Sequence, residues 1–96
     1  MKNKLTWDEN KRQSNLQKHG LDFADADAVL DSRYRMDVES NRGEELRIQS
    51  FSYVLGVLAV LTVVHIPCGG SNRIISFRRT NQSERHFYYD WLDNET

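Results

Sequence analysis

Residues 57–66 read VLAVLTVVHI, and after PCGGSN at 67–72 the chain continues RIISFR at 73–78. Two apolar, β-branched runs joined by Pro, Gly, Ser and Asn have the composition of a β-hairpin. The apolar stretch from Val54 to Val64 is interrupted by Gly56 and Thr62, and it falls short of the roughly 20 residues that cross a bilayer. It reads as the central strand of a sheet. Gly56 suits a hairpin turn that returns an antiparallel neighbour to this strand. The preceding residues supply that neighbour: Leu46, Ile48, Ser50 and Ser52 alternate with Arg47, Gln49, Phe51 and Tyr53, a strand of mixed burial.

Upstream, Leu5 and Trp7 lie in a short extended lead-in, and Asp8 is a suitable N-cap for a helix running to about Lys18. His19-Gly20 reads as its end, with Gly20 free to take a left-handed C′ conformation. Leu16 is the only large apolar residue in this helix, among Asn10, Lys11, Arg12, Asn15 and Lys18, so it packs by one edge. A second helix begins at Asp22, with Phe23, Ala26, Val29 and Leu30 on one face. The charged stretch from Tyr34 to Glu45, with Asn41 and Gly43, reads as a strand end and an exposed loop. Downstream, Asn81 followed by Glu84 opens a last helix like a capping box, and Phe87/Trp91 and Tyr88/Leu92 are i,i+4 pairs. The expected architecture is α+β: two N-terminal helices, a small antiparallel sheet and a C-terminal helix in one domain, residues 1–96.

The chain of 96 residues is 39% hydrophobic, with five Gly and one Pro, ordinary values for a globular chain with a single core. The charged start, MKNKLTWDEN, lacks the apolar segment of a secretory signal. Cys68 is alone, which excludes an internal disulfide and fits a reduced cytoplasm. The net charge of −1 is unevenly distributed. Between Gly20 and Leu46 eight acids face three arginines, a net of −5 that suits a basic partner. Between Asn72 and Tyr89 four arginines face Glu84, a net of +3 that suits phosphates. Three His and one Cys, without C-x-x-C or H-x-x-x-H spacing, give no reason to expect a metal or other cofactor.

Trp7-Asp8, Lys11, Asn15, Lys18-His19-Gly20 and Phe23 resemble the W-D-x-x-K-x-x-x-N-x-x-K-H-G-[VL]-x-F start of the BrnT family. Arg73-Ile-Ile-Ser-Phe-Arg78 resembles that family's R-I-I-S-A-R strand, and Glu84-Arg85 the E-R pair opening its last helix. The resemblance runs from about Leu5 to Tyr89 and is weakest between Ser32 and Gly43. It implies a RelE-like fold and a type II toxin that cleaves RNA without a metal, inhibiting translation and growth. It also implies a BrnA-like antitoxin that neutralises the toxin, and contact with operator DNA only through the antitoxin complex. Two positions depart from the family: Cys68 stands where many relatives carry an arginine after the central strand, and Phe77 replaces a small residue. The first suggests an alternative, a catalytically weak homologue acting as a binding subunit in an autorepressor complex. A third reading is a domain that binds another protein through its acidic middle segment.

Metal-free cleavage of RNA needs a base for the 2′-hydroxyl, positive charge beside the phosphorane and an acid for the leaving 5′-oxygen. Histidine suits the first and last at neutral pH, and arginine suits the second because its planar fork meets two phosphate oxygens at once. His19 is the candidate acid or base, with Lys18 as an electrostatic aid; capping the helix is its plainer alternative. Arg78 and Arg73 are the candidate phosphate clamps. Five residues apart on one strand, they leave opposite faces unless the strand is bulged or twisted. Glu84 is a candidate base or simply part of the helix cap. Trp7, Lys11, Arg79 and Tyr88 are candidate RNA contacts, although aromatic residues at such spacings also build cores. His65, in an apolar strand, reads as structural, and His86 as a surface residue.

Overall fold

A computed structural model describes residues 4–95, so positions 1–3 of the charged start, and Thr96, lie outside the described residues. Strand β1 (Lys4–Thr6) precedes helix α1 (Glu9–His19), a 3₁₀ turn (Phe23–Asp25) and a single helical turn, α2 (Asp27–Leu30). Strands β2 (Met36–Arg42), β3 (Glu45–Val54), β4 (Ala59–Cys68) and β5 (Ser71–Arg79) follow, and α3 (Gln82–Glu95) ends the described chain. The five strands form one sheet in the order β1-β5-β4-β3-β2. All neighbours are antiparallel except β1, which runs parallel to β5.

This architecture corrects the expected RelE-like arrangement of two N-terminal helices, a small antiparallel sheet and a C-terminal helix. The class remains α+β, but a strand precedes the first helix, the sheet is mixed, and the second helix is a 3₁₀ turn followed by one α turn. Asp22 caps that 3₁₀ turn, its carboxylate accepting from the Ala24 N–H. Phe23, Ala26, Val29 and Leu30 reach the core from two short turns, so apolar residues at helical spacing here did not require a continuous helix. The stretch between Tyr34 and Glu45, expected as a strand end and an exposed loop, is mostly β2, hydrogen-bonded to β3 from Met36↔Phe51 to Arg42↔Glu45.

The sheet carries a core on each face. On one, Phe23, Ala26, Val29 and Leu30 pack on Leu61, Val63, Ile74 and Phe77. On the other, Tyr88 of α3 packs with Met36, Phe51 and Val60, joined by Tyr53, Trp91 and Leu92. Tyr88 is 0% exposed; its hydroxyl donates to the Tyr34 carbonyl at 2.8 Å and accepts from the Tyr53 N–H at 3.1 Å. A polar row crosses the first face: Arg35 pairs with Asp37, the Ser50 hydroxyl donates to Asp37 at 2.7 Å, and His65 Nε2 lies 2.8 Å from Ser50 Oγ. His65 Nδ1 lies 2.8 Å from Asn72 Oδ1. The row therefore satisfies buried polar atoms that would each be costly unpaired.

Candidate active site

The first helix is laid down by its ends. Asp8 accepts from the Asn10 N–H at 2.9 Å, and Gly20, with φ of 72°, donates to the Leu16 carbonyl at 2.8 Å. Its sides offer little to bury, since Leu16 is 39% exposed. Asn15, 8% exposed, makes the attachment instead. Strand β1 pairs with β5 only as far as Thr6↔Arg73, leaving the outer edge of β5 open beyond that point. There Asn15 Nδ2 donates to the Phe77 carbonyl at 2.7 Å, and the Phe77 N–H donates to Asn15 Oδ1 at 3.2 Å. The same Nδ2 donates to the Leu21 carbonyl at 3.0 Å. Arg12 bridges Glu9 and Asp22 at 2.6 and 2.9 Å, which holds Glu9 down at about 2 through its hydrogen bonds from Arg12, Gln13 and Trp7.

Between α1 and β5 runs an open groove of about 210 Å³ lined by Lys11, Ser14, Asn15, Lys18, His19, Ile75 and Ser76. Strand β5 contributes to it through an irregularity. The β4–β5 register passes from Val64↔Ser76 to His65↔Ile74, which leaves Ile75 as the extra residue of a β-bulge. Arg73 then opposes Ile66, Ser76 opposes Val64 and Arg78 opposes Thr62. Positions 62, 64 and 66 alternate onto one face of β4, so Arg73, Ser76 and Arg78 share that face of β5. The bulge thus removes the parity that would separate the two arginines.

The candidate residues are distributed as follows. Lys11 and Lys18 are exposed and His19 half-buried, all three on the groove. Arg73 is exposed on the adjoining sheet face. Arg78 is half-buried and engaged: its Nη1 and Nη2 donate to the two carboxylate oxygens of Glu84 at 2.9 and 3.0 Å. Glu84 also accepts from the Asn81 N–H at 3.3 Å, while Asn81 Oδ1 accepts from the Glu84 N–H at 2.8 Å, a reciprocal helix cap. The Arg78 bond, opposed by partial burial, holds the Glu84 carboxyl below the usual range. Arg79 opposes Leu61, on the other face from Arg78. Trp7 is half-buried against the core, its indole N–H donating to Glu9 at 3.3 Å. Tyr88, inside the core, presents no ring face to a ligand.

Sequence reasoning did not single out Ser76 or the anchoring role of Asn15. An asparagine in a helix with hardly any apolar residues was the available signal for the second. Among the described residues no group of three or more His, Cys, Asp or Glu side chains is placed to hold a metal ion, and no helix is long and apolar enough to cross a membrane. No curated protein matches the chain. A family model described as "Ribonuclease toxin, BrnT, of type II toxin-antitoxin system" matches residues 7–84, from Trp7 to Glu84.

Proposed function

Since the chain belongs to the BrnT family of ribonuclease toxins of type II toxin–antitoxin systems, we propose that it is an endoribonuclease that cleaves RNA without a metal, in the groove between α1 and β5. The observation that carries the reading is the bulge at Ile75, which turns Arg73 and Arg78 to the face of β5 that carries Ser76, and Ser76 lines the groove with Lys11, Lys18 and His19. A backbone phosphate bridging these groups meets cations from two elements. His19 takes the proton from the 2′-hydroxyl as its oxygen attacks the adjacent phosphorus. The P–O5′ bond then breaks, leaving a 2′,3′-cyclic phosphate, and His19 passes the proton, directly or through water, to the leaving 5′-oxygen. Arg73, with Arg78 when it turns from Glu84, neutralises the phosphorane, and Lys18 adds charge nearby. A positioned acid or base contributes about a hundred- to ten-thousand-fold and a preorganised cation about 3 kcal/mol.

In this reading residues 1–96 act as a single cytoplasmic toxin domain that arrests translation and growth. A BrnA-like antitoxin neutralises it, and operator DNA is met only in that complex. A second reading, a weakly active homologue serving as a binding subunit of the autorepressor, has its own support. Cys68 is exposed and, by strand alternation, lies on the same face as Arg73, so the arginine found there in many relatives is missing from the cationic surface.

The test is cleavage of a defined RNA by the purified chain in a chelator. Cleavage that falls about a hundred-fold in His19→Ala and in Arg73→Ala, with circular dichroism unchanged, is the expected result. Full activity in both variants removes the groove from the mechanism, and no cleavage by the parent chain leaves the binding-subunit reading.

A further inference from the structure

We propose that Asn15 is a positioning residue for cleavage: a single buried carboxamide sets where the α1 cations and His19 stand relative to β5. The inference rests on the reading of the α1–β5 groove given above. Its physical basis is how little else fastens the helix to the sheet, since the Arg12–Asp22 pair ties α1 to the 3₁₀ turn and not to β5. The one large apolar side chain of α1, Leu16, is 39% exposed, so burial of an apolar face, the usual fastening of a helix to a sheet, is nearly absent. In its place Asn15 behaves like the peptide group of a missing strand. Where β1 has stopped, its Oδ1 accepts from the Phe77 N–H and its Nδ2 donates to the Phe77 carbonyl. Its third bond, to the Leu21 carbonyl, fixes the chain just beyond the Gly20 turn. One side chain therefore pins the outer edge of β5, the middle of α1 and the exit from α1. His19 is four residues further along α1, and Arg78 is next to Phe77 on β5. A shift or rotation of α1 about this amide moves His19 and Lys18 against Arg73, Ser76 and Arg78 without unfolding either element.

Positioning is separable from binding. Lys11, Lys18 and the β5 arginines still attract phosphates when α1 is loosely docked, because charge attraction tolerates displacement, whereas proton transfer does not. Misplacement by about 1 Å can cost about a hundred-fold in rate. Asn15→Ala is therefore expected to bind a 2′-O-methyl RNA, which cannot be cleaved, within about three-fold of the parent while its single-turnover cleavage falls about a hundred-fold. Asn15→Asp supplies a second, sharper signature. Its carboxylate can accept from the Phe77 N–H but turns negative oxygen towards the Phe77 and Leu21 carbonyls. That repulsion raises its pKa, and once protonated it again has a proton to donate.

The experiment measures binding and cleavage by the full chain and by both variants, with helicity checked by circular dichroism. Support is the split between binding and cleavage in Asn15→Ala, together with an Asn15→Asp rate, relative to the parent at each pH, that rises about ten-fold as pH falls from about 8 to about 5.5. Cleavage by Asn15→Ala within about three-fold of the parent, or binding and cleavage lost in equal measure, overturns the proposal. Should Asn15→Ala fail to fold, the relative pH profile of Asn15→Asp decides, and a flat profile overturns it. A parent chain that cleaves no RNA removes the groove reading itself, and this proposal with it, in an arm that involves neither variant.

Discussion

His65 lies at 1% exposure between Ser50 and Asn72. Burial pushes its pKa below the usual histidine value, against the raising effect of the Asn72 bond. The folded state therefore holds His65 neutral while the unfolded chain protonates near pH 6.5. The stability this group contributes is present above about pH 6.5 and is lost as pH falls through the lower folded value. Melting temperatures are expected to drop between about pH 7.5 and 5.5, and less so in His65→Gln; equal slopes in the two proteins would remove His65 as the cause. A second, later loss belongs to Asp37 and Glu84. Burial works to raise Asp37, but its bonds from Arg35 and Ser50 outweigh that and hold it low, and Glu84 is held low mainly by Arg78. Glu84 also separates two roles. With its carboxylate spent on Arg78 and the Asn81 cap, Glu84→Gln should cost about 1 kcal/mol of stability and change RNA cleavage less than ten-fold. A hundred-fold fall in cleavage would make it the base.

At the scale of elements, the β3–β4 connection carries its unusual backbone at Leu58, not at Gly56: Leu58 has φ of 57° and is 72% exposed. A left-handed leucine is strained and here buries little. Leu58→Asn should therefore raise stability by about 0.5 kcal/mol in chemical denaturation, and a loss would show that Leu58 packs usefully. The bulge of β5 invites a larger change. Deleting Ile75 restores simple alternation and returns Arg73 and Arg78 to opposite faces. Cleavage should then fall at least as far as in Arg73→Ala, while Ile75→Val, which keeps the residue count, should cleave within about three-fold of the parent. Elements with strong local signals were legible in the sequence: the Asp8 and Gly20 ends of α1, the β4–β5 hairpin and the Asn81–Glu84 cap. Those settled by distant partners were not. Strand β1 has three residues and finds its partner more than sixty positions away. Strand β2 is exposed from Asp37 to Arg42, so it has no apolar alternation to announce it. The bulge is a matter of register, which composition does not record. The candidate residues divided in the same way: the place of Lys18 and His19 on the groove follows from their helix end, whereas Tyr88 carries a ring equally suited to a core or to a base, and only packing separates the two.

Across the whole molecule, the segregation of charge along the sequence becomes segregation in space. The arginines of β5 and the cations of α1 stand towards one edge of the sheet, and Asp37 and Glu39 of β2 towards the other, because three strand spacings separate β5 from β2. If the groove holds about three phosphates of a single strand, binding of 2′-O-methyl RNA should weaken about twenty-fold between about 50 and 200 mM salt; a flat salt response would argue against phosphate contacts. The strand order also bears on how an encounter begins. With its cations gathered along α1 and β5, the protein is unevenly charged despite a net charge of only −1. In the field of a polyanion it experiences a torque before it experiences a contact. If RNA is the ligand, as proposed, the protein is turned with β5 leading, so a greater share of collisions arrives with the groove already facing the strand.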